Sequence, residues 1–145
     1  MDIQLILKNR SYYKKRITFI LEELPRITGI VLDLGCGEMI LADKLQLNEN
    51  VEVLGIDEQR FKESNFFIQG DAVQYISSTT RRFDYIFCLG LIDHLNPIDR
   101  ESCINSCLEK INTCLIVNAA NSDNIFFKLF KKTIYKENEL FLNCK

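Results

Sequence analysis

The sequence predicts an α/β fold, an open and mostly parallel doubly wound sheet with helices on both faces. Short apolar runs that suit strands alternate with helical patterns along most of the chain. Three consecutive strand–helix units place an aspartate where the strand ends, at Asp33 (VLDLGCGEM), Asp57 (VEVLGIDEQ) and Asp71 (FFIQGDAVQ). The first unit also carries a Gly-Cys-Gly turn at Gly35 and Gly37. In an open parallel sheet the strand carboxyl ends line one crevice, and ligands sit there. Three acids and a glycine turn on that edge suit a ligand with an amine, a diol and a purine.

In chain order, Tyr13, Ile17, Ile20, Leu21 and Leu24 recur at helical spacing, so residues 11–24 are expected as a helix that Pro25 stops. Residues 30–34 form the first strand, apolar on both faces as buried parallel strands are. After the glycine turn a helix is expected from about 38 to 45, then a second strand at 51–56. A short irregular connection at 60–64 leads to a third strand at 66–69 and a helix from 71 to about 77. The fourth strand is 83–89. Asn96-Pro97 opens a helix to about 111, with proline suited to its first turn. The fifth strand is 114–118. Beyond it Ile125, Phe126, Leu129, Phe130 and Ile134 form an amphipathic stripe, and residues 140–143 suit one more short strand.

The length of 145 residues fits one domain: an N-terminal helix or lid in 1–29, a core in 30–120 and a terminal helix with a short strand in 121–145. An apolar content of 47% suits a packed core, and a net charge of -2 argues against a general nucleic-acid binder. Two basic runs, Lys8, Arg10, Lys14, Lys15, Arg16 and Lys128, Lys131, Lys132, Lys136, read as solvated helix faces or phosphate-attracting patches. The six cysteines show no CxxC and no regular spacing, so no metal site is expected. Cys36, Cys88 and Cys114 read as small buried hydrophobes, and free thiols suit a cytoplasmic setting. The first residues carry no cleavage signal, and no run reaches transmembrane length.

Gly35 and Gly37 allow a sharp turn and close approach to a ligand. The helix after them is expected to aim free N–H groups at an anionic group. Asp33 is placed to meet an ammonium, and Asp57, twenty residues after Gly37, to meet a ribose diol. Asp71 is placed to accept from an adenine amine, with Ala72 beside the ring; an N-cap is its other reading. The NAD fingerprint G-x-G-x-x-G fails because its sixth position is Ile40, and no Walker A loop is present.

V-L-D-L-G-C-G resembles motif I of the class I S-adenosylmethionine-dependent methyltransferases. G-I-D-E, with Asp57 and Glu58, resembles their second acidic strand end, and Q-G-D-A their adenine motif. F-D-Y-I-F-C-L-G-L-I-D-H-L is similar to their fourth strand and following loop in the subgroup acting on small molecules and lipids. The resemblance spans residues 30–120 and implies strand order 3-2-1-4-5, with the family's last two strands reduced or missing. It implies S-adenosylmethionine as cofactor, held by Asp33, Gly35, Cys36, Gly37, Asp57, Glu58, Asp71, Ala72, Leu89, Gly90 and Leu91. Asp93 and His94 would then face the substrate. His94, the sole histidine, reads as a general base, a substrate-orienting group or a structural residue.

The pattern departs from the family at its third glycine, which here is Met39, a side chain with the bulk to crowd a cofactor. The implied function is methyl transfer to an N, O or C acceptor, whether small molecule, lipid or macromolecule. The alternative is a catalytically inactive methyltransferase-like subunit that acts as a binding or activating partner. The sheet edge beyond the fifth strand is expected to need a covering helix, a protein partner or a second copy of the chain. Tyr12 and Tyr13 read as lid or core, and the Phe126–Phe130 stripe with its lysines as sheet cover or a peripheral membrane contact.

Overall fold

The computed structural model describes the backbone of residues 3–61, 63–120 and 138–144, and side chains over 13–61 and 63–118. Helix α1 (Ile3–Glu23) leads into β1 (Gly29–Leu34), α2 (Ile40–Leu45), β2 (Val51–Asp57) and β3 (Phe67–Gln69). Then come α3 (Ala72–Ser78), β4 (Phe83–Leu89), a 3-10 turn (Ile92–His94), α4 (Pro97–Lys110), β5 (Ile111–Ala120) and β6 (Asn138–Cys144). The sheet order is β3-β2-β1-β4-β5-β6; the first five strands are parallel, as the sequence predicts, and β6 runs antiparallel to β5.

Strand alternation sorts the core into two layers. Val31, Val53, Tyr85, Phe87 and Ile116 face α1 and α2, where they meet Ile17, Ile20, Leu41 and Leu45. Leu32, Leu34, Ile56, Ile86 and Leu115 face α3 and α4, where they meet Ile76, Cys103 and Cys107. Asp33 belongs to the first face and is in register with Gly55 on one side and Phe87 on the other. The strand order turns back between β1 and β4, which opens the crevice where such sheets bind ligands.

Several boundaries differ from expectation for local reasons. Helix α1 starts at Ile3, roughly two turns early, because IQLILKNR holds no glycine or proline to stop it. Helix α2 starts at Ile40, because Met39 takes the left-handed conformation (φ 59°) and cannot continue the helix. The caps follow the sequence: Asn96 accepts from the Asp99 N–H at 2.9 Å ahead of Pro97, and Asp71 accepts from the Gln74 N–H at 2.9 Å.

The edge beyond β5 is a correction. The sequence left it for a helix, a protein partner or a second copy; instead the short strand expected at 140–143 forms as β6, seven residues long, and pairs along it from Cys114↔Cys144 to Ala120↔Asn138. The hydrogen-bonding groups on that side of β5 are therefore paired within the chain. Cys36, Cys88, Cys103 and Cys107 are free thiols, whereas Cys114 is disulfide-bonded, against the expectation of free thiols throughout. The stripe at Ile125 to Ile134, with its lysines, lies outside the described residues, as does the Tyr12 side chain. Among the described residues no helix is long and apolar enough to cross a membrane, and no group of three His, Cys, Asp or Glu side chains is arranged to hold a metal.

Candidate functional site

The glycine turn is stitched to the end of β2. The Gly35 and Cys36 N–H groups both donate to the Ile56 carbonyl, at 2.8 and 3.1 Å. The Gly37 N–H donates to Asp57 Oδ2 at 2.9 Å, and the Gln59 N–H to Asp57 Oδ1 at 3.0 Å. Gly35 (φ 71°) and Gly37 (φ 51°) both hold conformations that favour glycine. The amides of residues 35–37 are thereby committed to β2. Each Asp57 oxygen accepts one amide and keeps a further lone pair for a ligand hydroxyl.

Above this turn lies a cavity of about 660 Å³ lined by residues of β1, β2, β4, α1 and the start of α2 and their connecting segments. Asp33, Gly35, Cys36 and Gly37 come from β1 and its turn, and Asp57 from β2; Leu89, Gly90, Leu91 and His94 come from β4 and its loop. All of these are residues singled out in the sequence. Glu58, Asp71, Ala72 and Asp93 lie outside the lining. Glu58 is exposed, Asp71 serves as the α3 cap, and Ala72 packs into the opposite core layer. Four further residues line the cavity. Tyr13 and Phe61 are 43% and 53% exposed, so two aromatics from separate elements stand at its walls. Glu38 and Ile40 complete it. Phe61 carries no sequence signal, since the irregular segment after β2 has no periodicity to read.

The electrostatics favour a cation. Asp33, Glu38 and Asp57 line the cavity, and no lysine or arginine does among the described residues. Asp33 is buried and accepts no side-chain hydrogen bond among the described residues; burial first, then the nearby Asp57 charge, pushes its carboxyl up from 3.8 to about 7. The same burial, with both aspartates, pushes the Cys36 thiol far above its ordinary range, so it is a poor nucleophile there.

The loop after β4 is pinned by a residue the sequence reading passed over. Asn118, at 2% exposure, accepts from the Gly90 N–H at 2.7 Å through its Oδ1. Gly90 (φ 82°) turns the chain, and Leu91 packs so closely on the glycine turn that a Cβ at Gly35 would lie 3.3 Å from its own Cβ. Asn118 and Gly35 together therefore set the separation of the two loops that bound the crevice.

Met39 does not crowd the cavity. It is 2% exposed, belongs to the core cluster under α1 and α2, and is absent from the lining. Its left-handed backbone turns the side chain into the core, and its Cε would lie 3.2 Å from a Cβ placed on Gly55.

The fold is the Rossmann-like fold of solved class I S-adenosylmethionine-dependent methyltransferases. A SAM-dependent methyltransferase from Archaeoglobus fulgidus superposes with a TM-score of 0.71 at 20% identity, over 88% of this chain and 63% of its own. Magnesium protoporphyrin IX methyltransferase from Synechocystis PCC 6803, solved with bound SAM, gives 0.69 at 14% identity over 100% of this chain and 86% of its own. The PH0226 protein from Pyrococcus horikoshii OT3 gives 0.62 at 19% identity, over 89% and 74%. The chain thus spans less than two thirds of the archaeal methyltransferase's length. No family model and no curated protein matches the sequence.

Proposed function

We propose that this chain binds S-adenosylmethionine in the crevice between β1 and β4 and transfers its methyl group to a small N, O or C acceptor. The observation that carries this reading is the charge of the cavity: three carboxylates and no lysine or arginine among the described lining residues. A phosphate-rich nucleotide would meet repulsion there, and the turn amides that could cradle phosphate are already bonded to Ile56 and Asp57. A ligand with an ammonium and a sulfonium meets attraction. The solved structures of the same fold include enzymes with bound SAM, which supports the same ligand.

In this reading Asp33 holds the ammonium, Asp57 accepts from the ribose hydroxyls, and Phe61 packs on the adenosine. The bound cofactor supplies a methyl group on a sulfonium, a leaving group that departs as a neutral thioether. The chain's own task is alignment. Leu89, Gly90 and Leu91, fixed by Asn118, wall the methionine side, and Tyr13 covers it. His94 is exposed at the cavity wall, where an imidazole can take the proton that an O–H or N–H acceptor loses as its new bond to carbon forms.

Calorimetric titration with S-adenosylhomocysteine should show 1:1 binding, while NAD and ATP should show none. Asp57→Ala should weaken that binding by about 1–3 kcal/mol, the scale of a hydrogen bond to a charged group. Tighter binding of ATP or NAD than of S-adenosylhomocysteine would reject the assignment.

A further inference from the structure

We propose that Gly55 is a positioning residue for the cavity: the space it leaves on β2 takes Cys36 Sγ and the end of Met39, so a bulky residue at 39 coexists with an open site. Gly55 is not among the glycines with positive φ, so its backbone is one that any residue adopts. Glycine in a strand interior weakens the strand and marks close approach by something else. Here that neighbour is the turn. A Cβ on Gly55 would lie 2.8 Å from Cys36 Sγ, 3.1 Å from Cys36 Cβ and 3.2 Å from Met39 Cε. Contacts that short force the side chains to shift.

The direction of that shift is constrained. The Met39 backbone is held from both sides, its N–H donating to the Cys36 carbonyl at 2.9 Å and its carbonyl accepting from the Asp43 N–H at 3.0 Å, and its side chain is buried in the core. Val31, Leu41, Ala42 and Val53 fill the same core layer and are buried. The open volume beside Cys36 is the cavity it lines, next to Asp33, which is the register partner of Gly55. Anything added at 55 therefore sends Cys36 toward the ligand space. Gly55 and Met39 act as a pair, one leaving on β2 the space that the other's side-chain end and Cys36 occupy.

The test uses the full chain as wild type, Gly55→Ala, Met39→Ala and the double variant. Native labelling with iodoacetamide, read by peptide mass mapping, reports Cys36. A titration with S-adenosylhomocysteine reports the cavity. Gly55→Ala is expected to raise Cys36 labelling and weaken binding, each by about tenfold, as a buried thiol is moved into the open. Adding Met39→Ala should restore both, because Cys36 then drops into the volume Met39 vacates. General loosening of the fold would instead raise labelling at Cys88, Cys103 and Cys107 alike, since all three are fully buried. The double variant would also be the worst affected, having lost a buried side chain. Wild-type labelling in Gly55→Ala, or no recovery in the double variant, overturns the proposal. Should Gly55→Ala fail to accumulate as folded protein, recovery of folding in the double variant is the same rescue, and its absence the same refutation. A wild type that does not bind S-adenosylhomocysteine removes the cofactor reading, and the labelling arm still decides this one.

Discussion

Asp33→Asn is expected to make the ligand-free protein more stable than wild type at pH 7, by a few kcal/mol, with the advantage gone near pH 4. Asp33 is held in the floor of the cavity at 5% exposure, and its carboxyl is pushed up to about 7 by burial and by Asp57. In the unfolded chain it titrates near the ordinary 3.8. Below that value both states carry the proton and the group has no effect. Between about 4 and 7 the folded state keeps a proton that the unfolded state has lost. Stability therefore falls as the pH rises through that window and levels off above 7. The difference of roughly three units corresponds to on the order of 4 kcal/mol at 1.36 kcal/mol per unit. Asparagine has no such titration, so urea unfolding of the two proteins across pH isolates the term from every other carboxylate. The ligand responds in the opposite sense. An ammonium group held by Asp33 needs the ionised carboxylate, so S-adenosylhomocysteine, a zwitterion, should bind wild type with an affinity that climbs up to about tenfold per pH unit below 7, with proton release, and flattens above it. Asp33→Asn should bind weakly with no such slope. Equal stability of the two proteins at pH 7 would show that Asp33 is not the uncompensated buried acid that the cavity makes it.

What could be read from the sequence was whatever is coded locally. Asp33 and Asp57 end apolar runs, and Gly35 and Gly37 sit between a strand and a helix, so both their presence in the crevice and the order of the elements could be inferred. Pro97 and Asn96 announce their helix because capping is a matter of three or four residues. What could not be read is set by contacts across the sheet. Asn118 acts on Gly90, twenty-eight residues away. Phe61 reaches the cavity because the chain turns back to form β3. Strand β6 was readable as a short strand at 140–143, but its antiparallel pairing follows only from the edge that β5 offers. Asp71 shows a different limit. An aspartate after a strand can serve a ligand or start a helix, and the structure uses it as the α3 cap, outside the cavity lining.

Restoring glycine at position 39 should harm the protein, and the order of stability should be Met39, then Gly, then Ala. Met39 holds φ 59° without being glycine, a conformation that disfavours an L residue by about 1–2 kcal/mol. Met39→Gly relieves that strain. It also removes a side chain that is 2% exposed and packed in the core layer beneath α1 and α2, where losing a buried methionine costs about 2–5 kcal/mol. At the middle of both ranges burial wins by about 2 kcal/mol, within a span of ~0–4 kcal/mol. Met39→Ala loses the same packing and keeps the strain, so it should fall below glycine, the reverse of the ranking found inside helices. Because Met39 is not part of the cavity lining, the affinity of folded Met39→Gly for S-adenosylhomocysteine should stay at the wild-type level. Chemical denaturation of the three proteins separates the terms: the gap between Gly and Ala reads the left-handed backbone, and the gap between Met and Gly reads the core. If alanine were as stable as glycine, the backbone at 39 would not be left-handed in solution. If glycine fell no further below methionine than the relieved strain allows, the side chain would not be packed in the core as its burial requires.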